Sequence, residues 1–201
     1  MGDALPGSGG MFVVAPSTPN DAASLASLFE ACGSSCHCRY WHFEGTKNEW
    51  LERCAFHPEE NRAAMESALL TGDVSARGLV ASQDGVAVGW MKLAPRASVP
   101  KLRNLPVYRR LDLGPDEGVY SIGCFLVHPE HRHHGIARRM LDAAKTVVRA
   151  WNGRAIEAYP HAIDRTMYDE EAWLGPAQMF ADAGFVAVAG EIPYPVLRFT
   201  L

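Results

Sequence analysis

Arg132-x-x-Gly135-x-Ala137 places a cation, a glycine and a small residue where an apolar run gives way to an amphipathic one. Residue types in that order suit the binding of an anion. A glycine at a loop-to-helix junction lets the backbone approach a ligand closely and turn its unpaired amides toward it. The same helix start carries the positive end of the dipole, which matches a phosphate group. Arg132, Arg138 and His133 or His134 would add charge-assisted hydrogen bonds to phosphate oxygens, beside the first-turn backbone of Ile136 and Ala137.

Two elements must hold that loop. Upstream, the aromatic and β-branched run Tyr120–Val127 reads as a buried strand that Pro129 terminates. Downstream, Ala137, Met140, Leu141, Ala144, Val147, Val148 and Trp151 repeat at helical spacing, while Arg138, Arg139, Asp142, Lys145 and Arg149 take the other face. Elsewhere, Asp84-Gly85 signals a hairpin between residues 77–82 and 86–93. Met11–Ala15 reads as a strand. Thr18-Pro19-Asn20-Asp21 then starts a helix with the buried stripe Leu25, Leu28, Phe29 and Cys32 and a stop at Gly33. A second helix spans Pro58 to Thr71 and stops at Gly72, which leaves residues 34–56 as a long aromatic-rich connection. Ala94 to Gly118 reads as a second irregular stretch whose Arg96, Lys101, Arg103, Arg109 and Arg110 are mostly solvated.

The chain has 201 residues, of which 48% are hydrophobic, enough for one sizeable core. Residues 1–10 read as a flexible tail, and 11–201 as one domain. A net charge of −4 argues against a nucleic-acid surface, which needs a concentrated basic face. No apolar run approaches the roughly 20 residues that span a membrane, so no membrane partner is expected. The first ten residues lack the basic start and apolar stretch of a secretory signal. An odd number of irregularly spaced cysteines, five, fits a reducing cytoplasm better than a disulfide framework. Two histidine and cysteine clusters invite a metal reading: His128, His131, His133 and His134, and then Cys36, Cys38, His42, Cys54 and His57. Cys36-x-Cys38 is too tight for an ordinary zinc half-site, and a metal at the loop histidines would compete with a phosphate, so no metal is expected.

With its flanking strand and helix, the Arg132-x-x-Gly135-x-Ala137 loop resembles the signature of the GNAT acyl-CoA N-acyltransferases. Phe180-Ala-Asp-Ala-Gly184-Phe185 is similar to that family's last helix and its closing turn. A bacterial branch is similar in more detail, carrying an early Cys-x-Cys-x-Tyr-Trp (here Cys36 to Trp41), a Gly-Trp (Gly89-Trp90) and a Glu-x-Tyr-Pro (Glu157 to Pro160). The resemblance implies an α/β fold, a mixed β-sheet splayed between strands four and five with helices on both faces. It implies acetyl-CoA as co-substrate, its pyrophosphate on the loop from Arg132 to Arg138 and its pantetheine arm paired with the main chain of Leu126 and Val127. It also implies an acceptor wall in the early connection, with Tyr40, Trp41, Phe43 and Trp50 as candidates, Trp90 of the third strand as a further substrate-binding candidate, and room for a homodimer.

Acyl transfer needs a deprotonated amine, a donor for the developing oxyanion and a proton for the leaving thiolate. A main-chain amide near Val127 can serve the oxyanion. Many members of the family use a tyrosine four residues before the closing Gly-Phe as the acid, and here that residue is Phe180. The carboxylate that one branch uses as base corresponds to Ser121. Of the substitutes Tyr159, Tyr168, His128, His161, Glu117 and Glu157, Tyr159 is the first choice as acid, with Ser121 holding a water as relay. Pro160 to Gly175 adds an acidic stretch that would favour a cationic amine if it formed a lip of the pocket. The expectation is direct acetyl transfer from acetyl-CoA to a primary amine of a small-molecule acceptor. A non-catalytic acyl-CoA sensor is the alternative, and a zinc-stabilised interaction domain comes third.

Overall fold

The computed structural model describes residues 12–162, 168 and 171–201. Its sheet is built from β1 (Val13–Pro16), β2 (Gly78–Gln83), β3 (Val86–Pro95), β4 (Val119–Val127), β5 (Ala155–Ala158), β6 (Val186–Ala189) and β7 (Val196–Thr200), in the order β1-β2-β3-β4-β5-β7-β6. Every pairing is antiparallel except β4 with β5. That pairing covers only Val119–Ile122 against Ala155–Ala158, so β4 runs on to Val127 without β5 beside it. The sheet splits there.

A bulge adds to the split. The register between β3 and β4 passes from Lys92 opposite Cys124 to Leu93 opposite Ile122, which leaves Gly123 extra. Only a glycine fits that position, because a Cβ would lie 2.8 Å from the indole nitrogen of Trp41. That nitrogen donates to the Gly123 carbonyl at 2.9 Å. The bulge therefore ties the early connection onto the central strand.

Successive β3 residues point to opposite faces, and the helices divide accordingly. Met91 and Leu93 pack with Met140, Leu141, Ala144 and Val148 of α5 (Ile136–Ala150). Trp90 packs on the other face with Leu25, Leu28 and Phe29 of α1 (Ala22–Ala31) and with Met65 and Leu69 of α3 (Pro58–Thr71). Each such side chain stabilises the fold by about 1.5–3 kcal/mol of apolar burial. Between Asp84 (φ 51°) and Gly85 (φ 81°) the chain makes the left-handed turn that the dipeptide predicts. The α3 stop at Gly72 is left-handed as well, with φ 68°.

The two irregular stretches are more ordered than the sequence reading expects. Residues 34–56 contain α2 (Lys47–Phe56), started by a capping box in which Glu49 accepts from the Thr46 amide at 2.7 Å and Thr46 from the Glu49 amide at 3.3 Å. Between Ala94 and Gly118, β3 extends to Pro95, and a short helix α4 (Pro100–Arg103) follows. Arg96 is not solvated but fully buried. The last helix, α6 (Ala177–Asp182), carries Phe180 into the core against Phe125 and Phe185. Strand β1 begins at Val13 rather than Met11, which lies outside the described residues, as do the tail 1–10 and Asp164, Arg165, Asp169 and Glu170 of the acidic stretch. Among the described residues no helix is long and apolar enough to cross a membrane.

Candidate active site

The free end of β4 opens into a cavity of about 940 Å³. One end is the loop between β4 and α5. Pro129–His131 forms a single 3-10 turn, in which the His128 ring accepts from the Glu130 amide at 3.3 Å. His133 (φ 61°) and Gly135 (φ 78°) are both left-handed, so the chain reverses twice before α5 begins. Glycine is favoured at 135 by that φ and not by a lack of room, since a Cβ there would meet nothing within 4 Å. Past it, the first-turn amides of α5 have no intrahelical acceptor and face outward.

Leu126, Val127, Arg132, His133, Gly135, Ile136, Ala137 and Arg138 all line the cavity, whereas His134 does not. The Val127 carbonyl accepts from Arg132 Nε at 3.3 Å and from the Cys32 thiol at 3.5 Å. Arg138 reaches across to Asp182 at 2.8 Å, an exposed ion pair that an entering anion can replace. A strand end, outward amides and cations thus converge on one mouth, which suits an extended ligand that ends in phosphate groups.

The other end of the cavity is aromatic. Tyr40 and Trp41 lie in a 3-10 turn, their rings 4.9 Å apart, and Tyr40 also meets Trp50 of α2 at 5.5 Å. Trp173 closes on Trp41 at 6.1 Å. A second stretch of wall, Leu102, Leu105, Val107 and Tyr108, lines the cavity, and Leu102, Leu105 and Tyr108 pack in one cluster with Tyr40 and Trp41. Burial pushes the Tyr108 phenol up to about 12, so it stays protonated. None of this second wall, nor Trp173, emerges from the sequence reading. A signal was present: Leu102, Leu105 and Tyr108 recur every third residue, and the amides of Leu105 and Tyr108 bond to the carbonyl three residues back.

Trp90 is completely buried beneath α1 and does not reach the cavity, so the structure does not put it in the acceptor wall. Ser121 and Tyr159 are brought together, with 3.4 Å between their oxygens, but both are buried and neither lines the cavity. The Tyr159 hydroxyl donates to Glu157 Oε2 at 2.7 Å, and burial together with that carboxylate pushes its pKa up. Glu157 Oε1 accepts from Arg96 Nη1 at 2.9 Å and from Arg198 Nε at 2.9 Å. Arg96 completes its five donors on the Asp116 carboxylate and the carbonyls of Leu113, Gly114 and Pro115. This knot lies at the splitting point of the sheet and supports the aromatic end from behind.

The cysteines and histidines of residues 36–57 point in several directions. Cys38 is buried and hydrogen-bonded with Cys124, which together with the nearby Lys92 charge lowers its pKa. Cys36 lies 3.4 Å from Ser34, Cys54 accepts from Asn61 at 3.7 Å, and His57 faces Glu59 at 3.7 Å on the surface. Among the described residues no group of three or more His, Cys, Asp or Glu side chains is arranged to hold a metal ion.

The acetyltransferase (GNAT) family model matches residues 38–170. No curated protein matches the chain by sequence. Among solved structures, the GNAT domain of PAT from S. lividans is similar with a TM-score of 0.55 at 18% identity, over 98% of this chain and 100% of that one. A GNAT-family protein from Desulfovibrio desulfuricans gives 0.55 at 17% identity, over 94% and 99%. The PaiA N-acetyltransferase of Thermoplasma acidophilum, in complex with coenzyme A, gives 0.54 at 11% identity, over 95% and 99%. At such identities these likenesses speak for the fold.

Proposed function

The chain belongs to the acetyltransferase (GNAT) family, and on that premise we propose that it transfers an acetyl group from acetyl-CoA directly to a primary amine of a small-molecule acceptor. The observation that carries this reading is the single cavity running from the loop at the start of α5, past the free end of β4, to the aromatic wall. Bound acetyl-CoA supplies the activated acyl group. Its pyrophosphate fits the outward amides of Ile136, Ala137 and Arg138 beside Arg132 and His133, and its pantetheine arm fits the side of Leu126 and Val127 that β5 leaves without a strand. A main-chain amide near Val127 serves the oxyanion. Tyr40 and Trp41 belong to the acceptor side.

The proton carriers do not follow the usual plan. With the Tyr159 hydroxyl on Glu157 and a phenyl ring at Phe180, the leaving thiolate is better served by a proton from the attacking nitrogen, passed through water or a lining hydroxyl such as that of Tyr108. These same features favour, as a second reading, a sensor that binds acyl-CoA without turnover.

Calorimetry with acetyl-CoA tests the proposal. Gly135→Asn keeps the left-handed φ, which asparagine tolerates, and is expected to bind within about fivefold of the parent chain. Gly135→Asp adds a carboxylate at the phosphate position and is expected to weaken binding by at least a hundredfold, about 3 kcal/mol. Tight binding lost only in the aspartate variant supports the coenzyme site, and acetylation of an amine by the parent separates enzyme from sensor. Failure of the folded parent to bind acetyl-CoA ends both readings.

A further inference from the structure

The acceptor end of the cavity narrows the choice of amine, on the premise of the acetyl transfer proposed above. Trp41 is 3% exposed, and its indole N–H is engaged with the Gly123 carbonyl. It therefore offers the cavity hydrocarbon, which Leu102, Leu105 and Val107 extend. The Lys101 ammonium lies 4.5 Å from the centre of the Tyr40 ring and 5.1 Å from that of Phe43, and donates to the Phe43 carbonyl at 3.0 Å. The aromatic wall thus holds one cation already, and a second brought against it meets repulsion.

The supply of bases points the same way. Among the described residues that line the cavity there is no aspartate or glutamate, and its two histidines, His131 and His133, belong to the loop at the phosphate end rather than to the aromatic end. Glu157, the buried carboxylate of β5, has its oxygens taken by Arg96, Arg198 and Tyr159. An alkylamine, with a pKa near that of lysine at about 10.4, arrives as an ammonium ion and must lose a proton before it can attack. An amine whose lone pair is conjugated with an aromatic ring is neutral at pH 7, flat and apolar. It needs neither a base nor a carboxylate partner, and its ring matches the wall.

We propose that the acceptor is an aromatic amine of low basicity, with nitrogen attached directly to the ring. The nitrogen lone pair forms a bond to the acyl carbon, the carbon–sulfur bond breaks, and the proton lost by nitrogen ends on the departing thiolate. The products are an anilide and free coenzyme A, with no net uptake or release of protons.

The test uses the full chain with acetyl-CoA and three acceptors: aniline, 2-phenylethylamine and spermidine. Product mass and thiol release are both read, and acetyl-CoA binding is measured by calorimetry in parallel. Aniline is expected to show at least about a tenfold higher kcat/KM than spermidine and a profile nearly flat from about pH 6.5 to 8.5, whereas 2-phenylethylamine rises about tenfold per pH unit. Val107→Glu, at a half-exposed lining position, is expected to raise KM for aniline several-fold and lower it for spermidine. Turnover of spermidine or 2-phenylethylamine without aniline would overturn the inference and leave acetyl transfer standing. Binding of acetyl-CoA with no acetylated amine would overturn it in favour of the sensor. Absence of acetyl-CoA binding would remove the premise itself.

Discussion

The two ends of the cavity are made of different material. At the loop end the backbone does the work: a strand end, two left-handed residues and the first amides of α5, all within residues 126–138. At the aromatic end side chains do it, gathered from residues 40–50, 102–108 and 173 and braced by the Arg96–Glu157–Arg198 knot. A site made of main chain depends on local conformation and tolerates many side chains. A wall made of side chains depends on packing, and small changes behind it move it. The first end is therefore the place to test binding of the common acyl donor, and the second the place to test choice of acceptor.

The largest expected effect comes from cutting the brace. Glu157→Ala leaves fully buried Arg96 and half-buried Arg198 without their shared carboxylate and should lower the free energy of unfolding by about 3–5 kcal/mol, measured by denaturant titration. Glu157→Gln keeps the shape and should cost less, with kcat falling no more than the folded fraction does. If instead Glu157→Gln unfolds like the parent yet loses most of its kcat, then Glu157 acts on the reaction and the division between brace and site collapses.

The same contrast explains what could be read from the sequence. The loop at Arg132 to Arg138, the Asp84-Gly85 hairpin and the α3 stop at Gly72 are set by conformations that only a few residue types accept, so local pattern suffices. The amphipathic α5 was legible for the same reason, since its period is intrinsic to the helix. Thr46-x-x-Glu49 marks the start of α2 in the sequence as well, but its capping box stands among aromatic residues without a clear helical period. Arg96 was not legible. An arginine in an irregular stretch is usually solvated, and only the tertiary fold brings Glu157, Asp116 and three carbonyls around it. Trp90 failed as a wall residue because period-two alternation along β3 says that it opposes Met91, not which of the two faces holds the ligand. Ser121 and Tyr159 have the residue types for proton transfer, but the Glu157 partner that takes the Tyr159 hydroxyl depends on the buried ion pairs, which no local pattern announces.

A smaller perturbation sharpens the comparison at the seam between the ends. In Gly123→Ala the new methyl would sit 2.8 Å from the Trp41 nitrogen and 3.2 Å from Lys92 Cγ, so Trp41 must move and its bond to the bulge carbonyl lengthens or breaks. Overpacking of this kind costs about 1–3 kcal/mol. The expected kinetic outcome is selective: KM for the amine rises several-fold, while the Kd for acetyl-CoA, held by backbone on the far side of Val127, changes less than about twofold. Equal losses in both would mean that the bulge positions the donor as well as the acceptor.

The smallest effect is a matter of pH and needs no mutation. His42 ends the 3-10 turn that carries Tyr40 and Trp41, and its buried Nε2 has no hydrogen-bond partner among the described residues. Burial, aided by the Lys92 and Arg39 charges, lowers its pKa from 6.5 to about 3. Below 6.5 the unfolded chain binds a proton that the folded chain refuses, so stability falls as the pH drops, by about 1 kcal/mol per unit until the folded value is approached. Above 6.5 both states are neutral and the term vanishes. Because the strain is felt where the turn meets the core, acidification from pH 6.5 to 5 should loosen the aromatic wall first, raising KM for a non-titrating acceptor. Acetyl-CoA affinity over the same range should change less. His42→Gln, which cannot take up the proton, should flatten the stability profile between pH 5 and 6.5. A profile as steep in that variant as in the parent would shift the acid sensitivity to other buried groups and detach it from the acceptor end.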